Sequence, residues 1–411
     1  MQPDRRALLA SAVVSLAAPA RAQVQAQHAQ RGAVAIDGGR ILLDGRPTTL
    51  FGFRVGSAPL RDDWTEALIG QLDLWRAHGI NALILWLQGT SGGYTRVFTA
   101  DGSLATGRAP VFARTDFAAA EGLAENGATT GPEVIARTRR IIAACGQRGM
   151  AAIVGVFYRS ALLPTDTPAI LAAAAATAAR EIGPHPNLMF NVFNEAQTDR
   201  RLEAVDDLRS YAAAVKAALP GAIVGAGSLR APMTPAIAGL PEVDVVMQDA
   251  GNTLAEATAV LDDLRARTPK PVMNVESFEG YGGGMSDDLT MTAAPPPGYA
   301  VDFPRFRRVF GAFAEADERN PLVPRHVAGR AAYRGLVDHV AQDAERRAHL
   351  MIHLPAWFQG ASRVARPGQV GRLGEPGYWN NAFHPGFGSA DGTVASPGIR
   401  WILEHVRQRA G

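Results

Sequence analysis

The feature that most constrains this chain is an alternation. Short, nearly unbroken apolar runs recur eight times, at residues 49–56, 81–88, 150–158, 187–195, 222–228, 243–249, 271–277 and 349–357. Most are separated by segments whose apolar residues return every three to four positions. In "DDWTEALIGQLDLWRAHG", for example, Trp64, Leu68, Leu72 and Trp75 mark one helical face that ends at Gly79. A strand-length run that is apolar at successive positions is buried on both faces, as in a parallel sheet covered by helices. The expected class is therefore α/β. Eight such strands with intervening helices specify a closed (β/α)8 barrel of the TIM type, whose functional groups gather at the carboxyl ends of the strands.

Around this repeat the chain carries a few departures. "AVAIDGGRILLDGRPTTLFGFRVG" has two hairpin signals, Gly38-Gly39 and Asp44-Gly45, and predicts a short N-terminal hairpin before the first barrel strand. Two stretches are longer than simple connections, residues 89–130 after the second strand and 280–326 after the seventh. Loops of that length in a compact domain usually form walls or lids of a site. An open doubly wound sheet is the competing architecture, but "GFRVGSAPL" lacks the glycine spacing of its phosphate turn. The last segment, "SPGIRWILEHVRQRA", predicts a closing helix capped by Ser396 with Pro397 in its first turn.

The first 22 residues read as an export signal. Arg5 and Arg6 precede the apolar run "ALLASAVVSLAAPA", and the small-residue pattern Ala20-Arg21-Ala22 follows. The run is too short to span a membrane stably, and the paired arginines point to the twin-arginine route into a periplasm or the medium. The mature protein is then a single catalytic domain over residues 23–411, beginning near Gln23. With 41 basic and 39 acidic side chains the net charge is only +2, which gives no footprint for nucleic acid. Cys145 is the single cysteine, so no internal disulfide forms, and "RRIIAACGQRG" places it on a buried helix face rather than in a nucleophile's setting. Neither a metal-binding His/Cys cluster nor a P-loop nor a GxSxG elbow is present. No cofactor is implied.

The polar residues that stand out lie at strand tips. "HPNLMFNVFNEAQ" ends in Asn194 and Glu195 on the fourth strand, and "PVMNVESFEG" puts Glu276 on the seventh. A closed barrel can bring the two glutamates to opposite sides of one cleft. Facing carboxylates suit glycosidic bond cleavage, in which one protonates the leaving oxygen while the other attacks or activates water.

"HPNLMFNVFNEA" resembles the fourth-strand motif of glycoside hydrolase clan A, the (β/α)8 group that includes the cellulase-type family 5. "DGRPTTLFGFRVG" is similar to the stretch opening those barrels, "KPVMNVESFEG" to the seventh-strand segment with an apiosidase-like ending, and "HLMIHLPAWFQG" to an eighth strand that presents an aromatic platform. The resemblance covers most of residues 38–360. It implies Glu195 as general acid/base, Glu276 as nucleophile, Asn194 as donor to the sugar 2-hydroxyl, and cleavage of an oligo- or polysaccharide with retention.

Arg54, at the end of the first barrel strand, is the expected donor near an ionised Glu276. Trp86, Tyr158, Gln248, Asp249 and Trp357 are the remaining substrate-binding candidates. Simpler roles stand beside these. Glu279 could replace Glu276, Asn194 could cap a helix, and the aromatics could be core. His353 reads as a core histidine and Trp379 as loop packing. The sixth strand ends in Gln248-Asp249, where family 5 usually shows a histidine and an aromatic, so the subsites differ from a standard cellulase. A transglycosylase or a non-catalytic carbohydrate-binding barrel would share this pattern.

Overall fold

The computed structural model describes residues 31–56, 58–88, 95–111, 128–157, 167–194, 196, 204–227, 234–249, 251, 253–276, 322–352 and 400–410. At the start, β1 (Val34–Asp37), β2 (Arg40–Leu43) and β3 (Arg46–Pro47) form a small antiparallel meander. Its two turns are the expected ones. Gly38 and Gly39 both have positive φ, as do Asp44 and Gly45, the conformation of a tight two-residue hairpin loop.

The barrel follows. Its strands are β4 (Phe51–Arg54) and β5 (Ala82–Gln88), then, past a short ribbon of β6 (Ala109–Pro110) and β7 (Ala128–Thr129), β8 (Ala151–Phe157), β9 (Leu188–Phe193), β10 (Ile223–Ala226), β11 (Val245–Asp249), β12 (Val272–Glu276) and β13 (Ala348–Ile352). All eight pairings are parallel, and the sheet closes where β13 meets β4, through Leu350–Phe51, Met351–Gly52 and Ile352–Phe53. Every expected barrel strand forms, each overlapping the run that predicted it. The protein is a (β/α)8 TIM barrel with an N-terminal hairpin.

Two helical expectations need correction. The helix expected to run unbroken to Gly79 divides into Asp62–Ile69 and Leu72–Ala77. At the break, Gln71 N–H bonds to the Leu68 carbonyl three residues back, tightening the last turn beside Gly70, a poor helix former. Between β10 and β11 lies a five-residue helix, Thr234–Ala238, too short to show a period in sequence. The other expected helices form, although the one read over 330–348 spans Leu322–Ala341, and the Ser396-Pro397 start of the last helix lies outside the described residues. Thr130 and Glu133 form a reciprocal capping box at the start of Gly131–Gln147, and Thr253 with Glu256 repeats it at Leu254–Arg267. Cys145 is fully buried on the first of these helices, where burial pushes its thiol up to about 12.

Two layers of core result. Phe51, Phe53, Leu83, Leu85, Val154, Phe190 and their neighbours pack outward against helices. Ala82, Ile84, Trp86, Ile153, Met189, Met247, Met273 and Met351 fill the barrel, and Ile41, Leu43 and Leu50 plug its amino end. The interior is filled by pairing small with large. A Cβ on Gly52 would fall 2.6 Å from Met351 Sδ, and one on Gly225 would fall 2.4 Å from Met247 Cε.

Side chains tie down the strand starts. Asn81 Oδ1 accepts Phe51 N–H (2.9 Å), and Asn187 Nδ2 donates to the Ile142 and Met150 carbonyls (2.9 and 3.1 Å). Asp244 takes the Val224 N–H and the Lys216 ammonium, both at 2.8 Å. His349 Nδ1 accepts Leu50 N–H at 3.0 Å, a bond that requires the ring to be unprotonated at that nitrogen. Burial pushes this imidazole down to about 3, against a smaller opposing pull from Asp343.

The unfolded chain therefore binds a proton that the folded protein refuses between about pH 6.5 and 3, and stability falls as pH drops through that window. The contribution is up to about 1.4 kcal/mol per pH unit. His349→Leu is expected to be less stable at pH 7, by about 1–3 kcal/mol for the orphaned Leu50 N–H. Its stability should also decline less steeply on acidification, by close to one proton. Urea unfolding at a series of pH values measures both, and an unchanged slope would refute the assignment.

Candidate active site at the barrel mouth

At the carboxyl end of β4, Arg54 points into the barrel, since Phe51 and Phe53 face the helices. Its Nη1 donates to the Val275 carbonyl (3.1 Å) and to Glu276 Oε2 at the end of β12. The Arg54 side chain is 0% exposed and that of Glu276 is 4% exposed, so the ion pair lies within the protein. Over the other side of the guanidinium lies Trp86 on β5, with Arg54 Cζ 4.5 Å from the ring centroid. An aromatic face attracts a cation most strongly when water is excluded. A neighbouring guanidinium in turn favours the ionised carboxylate.

Both strands that end in the candidate residues break their alternation just before the tip. Along the β11–β12 pair, Gln248 is opposite Asn274 but Asp249 is opposite Glu276, leaving Val275 as an extra residue. On β9, Val192 and Phe193 both join the outer core, Phe193 stacking on Tyr211 with ring centroids 6.3 Å apart. Asn191 Oδ1 takes the Phe193 N–H (3.2 Å) at this irregularity. A bulge such as that on β12 re-aims the side chains that follow it, whereas the register of β9 on β8 runs unbroken to Phe193. A polar Asn191 inside an otherwise apolar run was the available sequence signal for the change of facing on β9.

Asn194 sits directly beyond β9, 2% exposed, its N–H bonded to the Phe157 carbonyl (2.9 Å). Among the described residues its side-chain Oδ1 and Nδ2 have no hydrogen-bond partner. A buried amide left so is destabilising and calls for an explanation. Asp249, 4% exposed, is the register neighbour of Glu276. Gln248 accepts from Thr234 Oγ1 and donates to the Asp249 carbonyl, which braces the sixth strand's tip.

The structure thus gathers Arg54, Trp86, Asp249 and Glu276 at one end of the barrel and places Asn194 on the tip of β9. Glu195, Tyr158 and Trp357 lie outside the described residues, as do Glu279, His353 and Trp379. Most of 280–326 and part of 89–130 do as well. Among the described residues no group of three or more His, Cys, Asp or Glu could hold a metal, and no helix is long and apolar enough to cross a membrane.

Solved structures with a similar fold include family 5 glycoside hydrolases. A family 5 mannosidase from Rhizomucor miehei superposes with a TM-score of 0.50 at 10% identity, covering 92% of this chain and 99% of that one. A second glycoside hydrolase gives a TM-score of 0.50 at 13% identity, over 93% of this chain and 74% of that one. A family 5 glycoside hydrolase from Bacteroides vulgatus gives 0.48 at 13%, over 87% and 69%. At these identities the likeness is one of fold. No protein-family model matches the sequence, and no curated protein does.

Arg54→Met is expected to destabilise the protein by about 3–5 kcal/mol, because Glu276 stays buried without this cation. Adding Glu276→Leu to Arg54→Met should recover most of the loss, since the charge left behind is removed as well. Urea unfolding of the two variants checks this, and a single-variant loss below about 1 kcal/mol would show that the pair behaves like an exposed one.

Proposed function

We propose that this chain is a retaining glycoside hydrolase that cleaves an oligo- or polysaccharide by double displacement. The observation that carries the reading is a buried Glu276, gripped by Arg54, at the carboxyl mouth of a closed barrel. A nucleophilic carboxylate must be ionised and held still, and an apolar setting with one guanidinium supplies both. Glu195, next in sequence after Asn194, is the general acid/base; β9, which precedes them, is three strands round the barrel from β12.

In the first step a Glu276 oxygen bonds the anomeric carbon as the aglycone oxygen departs with the proton of Glu195. In the second, water attacks that carbon, giving a proton back to Glu195 and releasing Glu276. The Asn194 amide is the donor to the sugar 2-hydroxyl in this reading, which its lack of a partner among the described residues supports. Asp249 beside Glu276, together with Tyr158 and Trp357, would shape the subsites. An export signal over residues 1–22 and one catalytic domain over 23–411 complete the proposal, for a periplasmic or secreted enzyme.

The test is a screen of the mature protein against polysaccharides and aryl glycosides. Mannosides belong in the panel because a neighbour of the same fold is a mannosidase. Proton NMR of the first-formed anomer is expected to show retention. Glu195→Gln and Glu276→Gln should each lose at least about a thousandfold in kcat while remaining folded, the scale of removing one member of a concerted set. A normal rate in either variant removes that residue from the mechanism. Binding without turnover would identify a carbohydrate-binding barrel, and transfer to sugar acceptors in preference to water a transglycosylase.

A further inference from the structure

Trp86 is wholly buried, and what surrounds it differs from a sugar platform. Behind it is Gly155 on the adjacent strand β8, its register partner. A Cβ at Gly155 would lie 2.2 Å from both Trp86 Cδ1 and Nε1, so the indole occupies the space that any side chain there would need. On its other side is the Arg54 guanidinium, itself bonded to Glu276. Glycine, indole, guanidinium and carboxylate are thus in contact across β8, β5, β4 and β12. The charged groups at this tip among the described residues are Arg54, Glu276 and, in register with it, Asp249.

We propose that Trp86 is a positioning residue: with Gly155 giving it room, its indole face holds Arg54 against Glu276 and so sets the orientation and charge of that carboxylate. Arginine has a long side chain with several rotamers to choose among. Packing a flat ring on the guanidinium face removes that freedom. It also excludes water, which would otherwise screen the cation from the carboxylate. The consequence for function rests on reading Glu276 as the nucleophile, but the physical effect on Glu276 does not.

Two kinds of measurement separate these. Glutamate labelled with carbon-13 at the side-chain carboxyl lets Glu276 be titrated by NMR, its signal assigned by its loss in Glu276→Gln, with no turnover required. In Trp86→Leu and in Gly155→Ala, which displaces the indole without deleting it, the Glu276 midpoint is expected to rise by about one pH unit. Trp86→Phe, which keeps an aromatic face over Arg54, should remain close to the parent protein. In hydrolysis assays the two disruptive variants should lose about tenfold in kcat with KM changed less than about threefold, and the acid limb of the pH profile should move upward with the titration. Should Trp86→Leu fail to fold, Gly155→Ala against Trp86→Phe carries the comparison. An unmoved Glu276 titration in a folded disruptive variant overturns the proposal. So does a raised KM at unchanged kcat, which would mark Trp86 as a sugar contact. If the parent protein hydrolyses nothing, the glycosidase reading fails while the titration still decides the role of Trp86.

Discussion

Closure of the sheet is the constraint on which the rest depends. The pairing of β13 with β4 joins segments almost three hundred residues apart, as the bond from Leu50 N–H to His349 shows at a separation of 299. Only when that seam is made do Arg54 and Glu276, 222 positions apart, face each other. The seam tolerates little. At Gly52 a side chain would meet both the Ala82 carbonyl and Met351 Sδ at 2.6 Å, so the strand crossing there has to be bare. Such long-range pairing is slow to form, because loop closure is unfavourable until the last strand docks.

The two ends of the barrel treat polarity differently. At the amino end, Asn81, Asn187, Asp244 and His349 each engage backbone groups of the strands and loops beside them, and the hairpin's Ile41 and Leu43 seal the floor. At the carboxyl end a charged pair is buried, and the Asn194 amide has no partner among the described residues. Burying an ion pair seldom adds stability over apolar packing. At the amino end the buried Asp343 carboxylate is likewise paired, with Arg265, but it also takes the Arg347 and Ala348 N–H groups, so there the charge ties down backbone.

Much of this architecture was legible in sequence, and the reasons are specific. Strands such as "ALILWLQ" declare themselves because both faces are buried, and the Gly38-Gly39 and Asp44-Gly45 turns because positive φ selects those residues. The split at Gly70 and the helix Thr234–Ala238 were not legible, since one depends on a local tightening and the other is shorter than two turns. For the site, residue types at strand ends were readable, but contacts were not. Trp86 offered an aromatic of undecided role, and only the register of β5 on β8 reveals that Gly155 lies beneath it. The extra residue at Val275 leaves no trace in composition, because a bulge alters alignment between strands and not the residues themselves.

Asp244 has a bearing on how this chain can be rewired. One carboxylate holds Lys216 on the helix Val205–Ala218 and the N–H of Val224 on β10, so it spans the exposed turn at Pro220-Gly221 from both sides. The covalent link through that turn duplicates a connection already made by hydrogen bonds. Circular permutation that opens the backbone between Pro220 and Gly221 would leave the flanking helix and strand anchored to the same acid, with new termini displayed at the floor, far from the mouth.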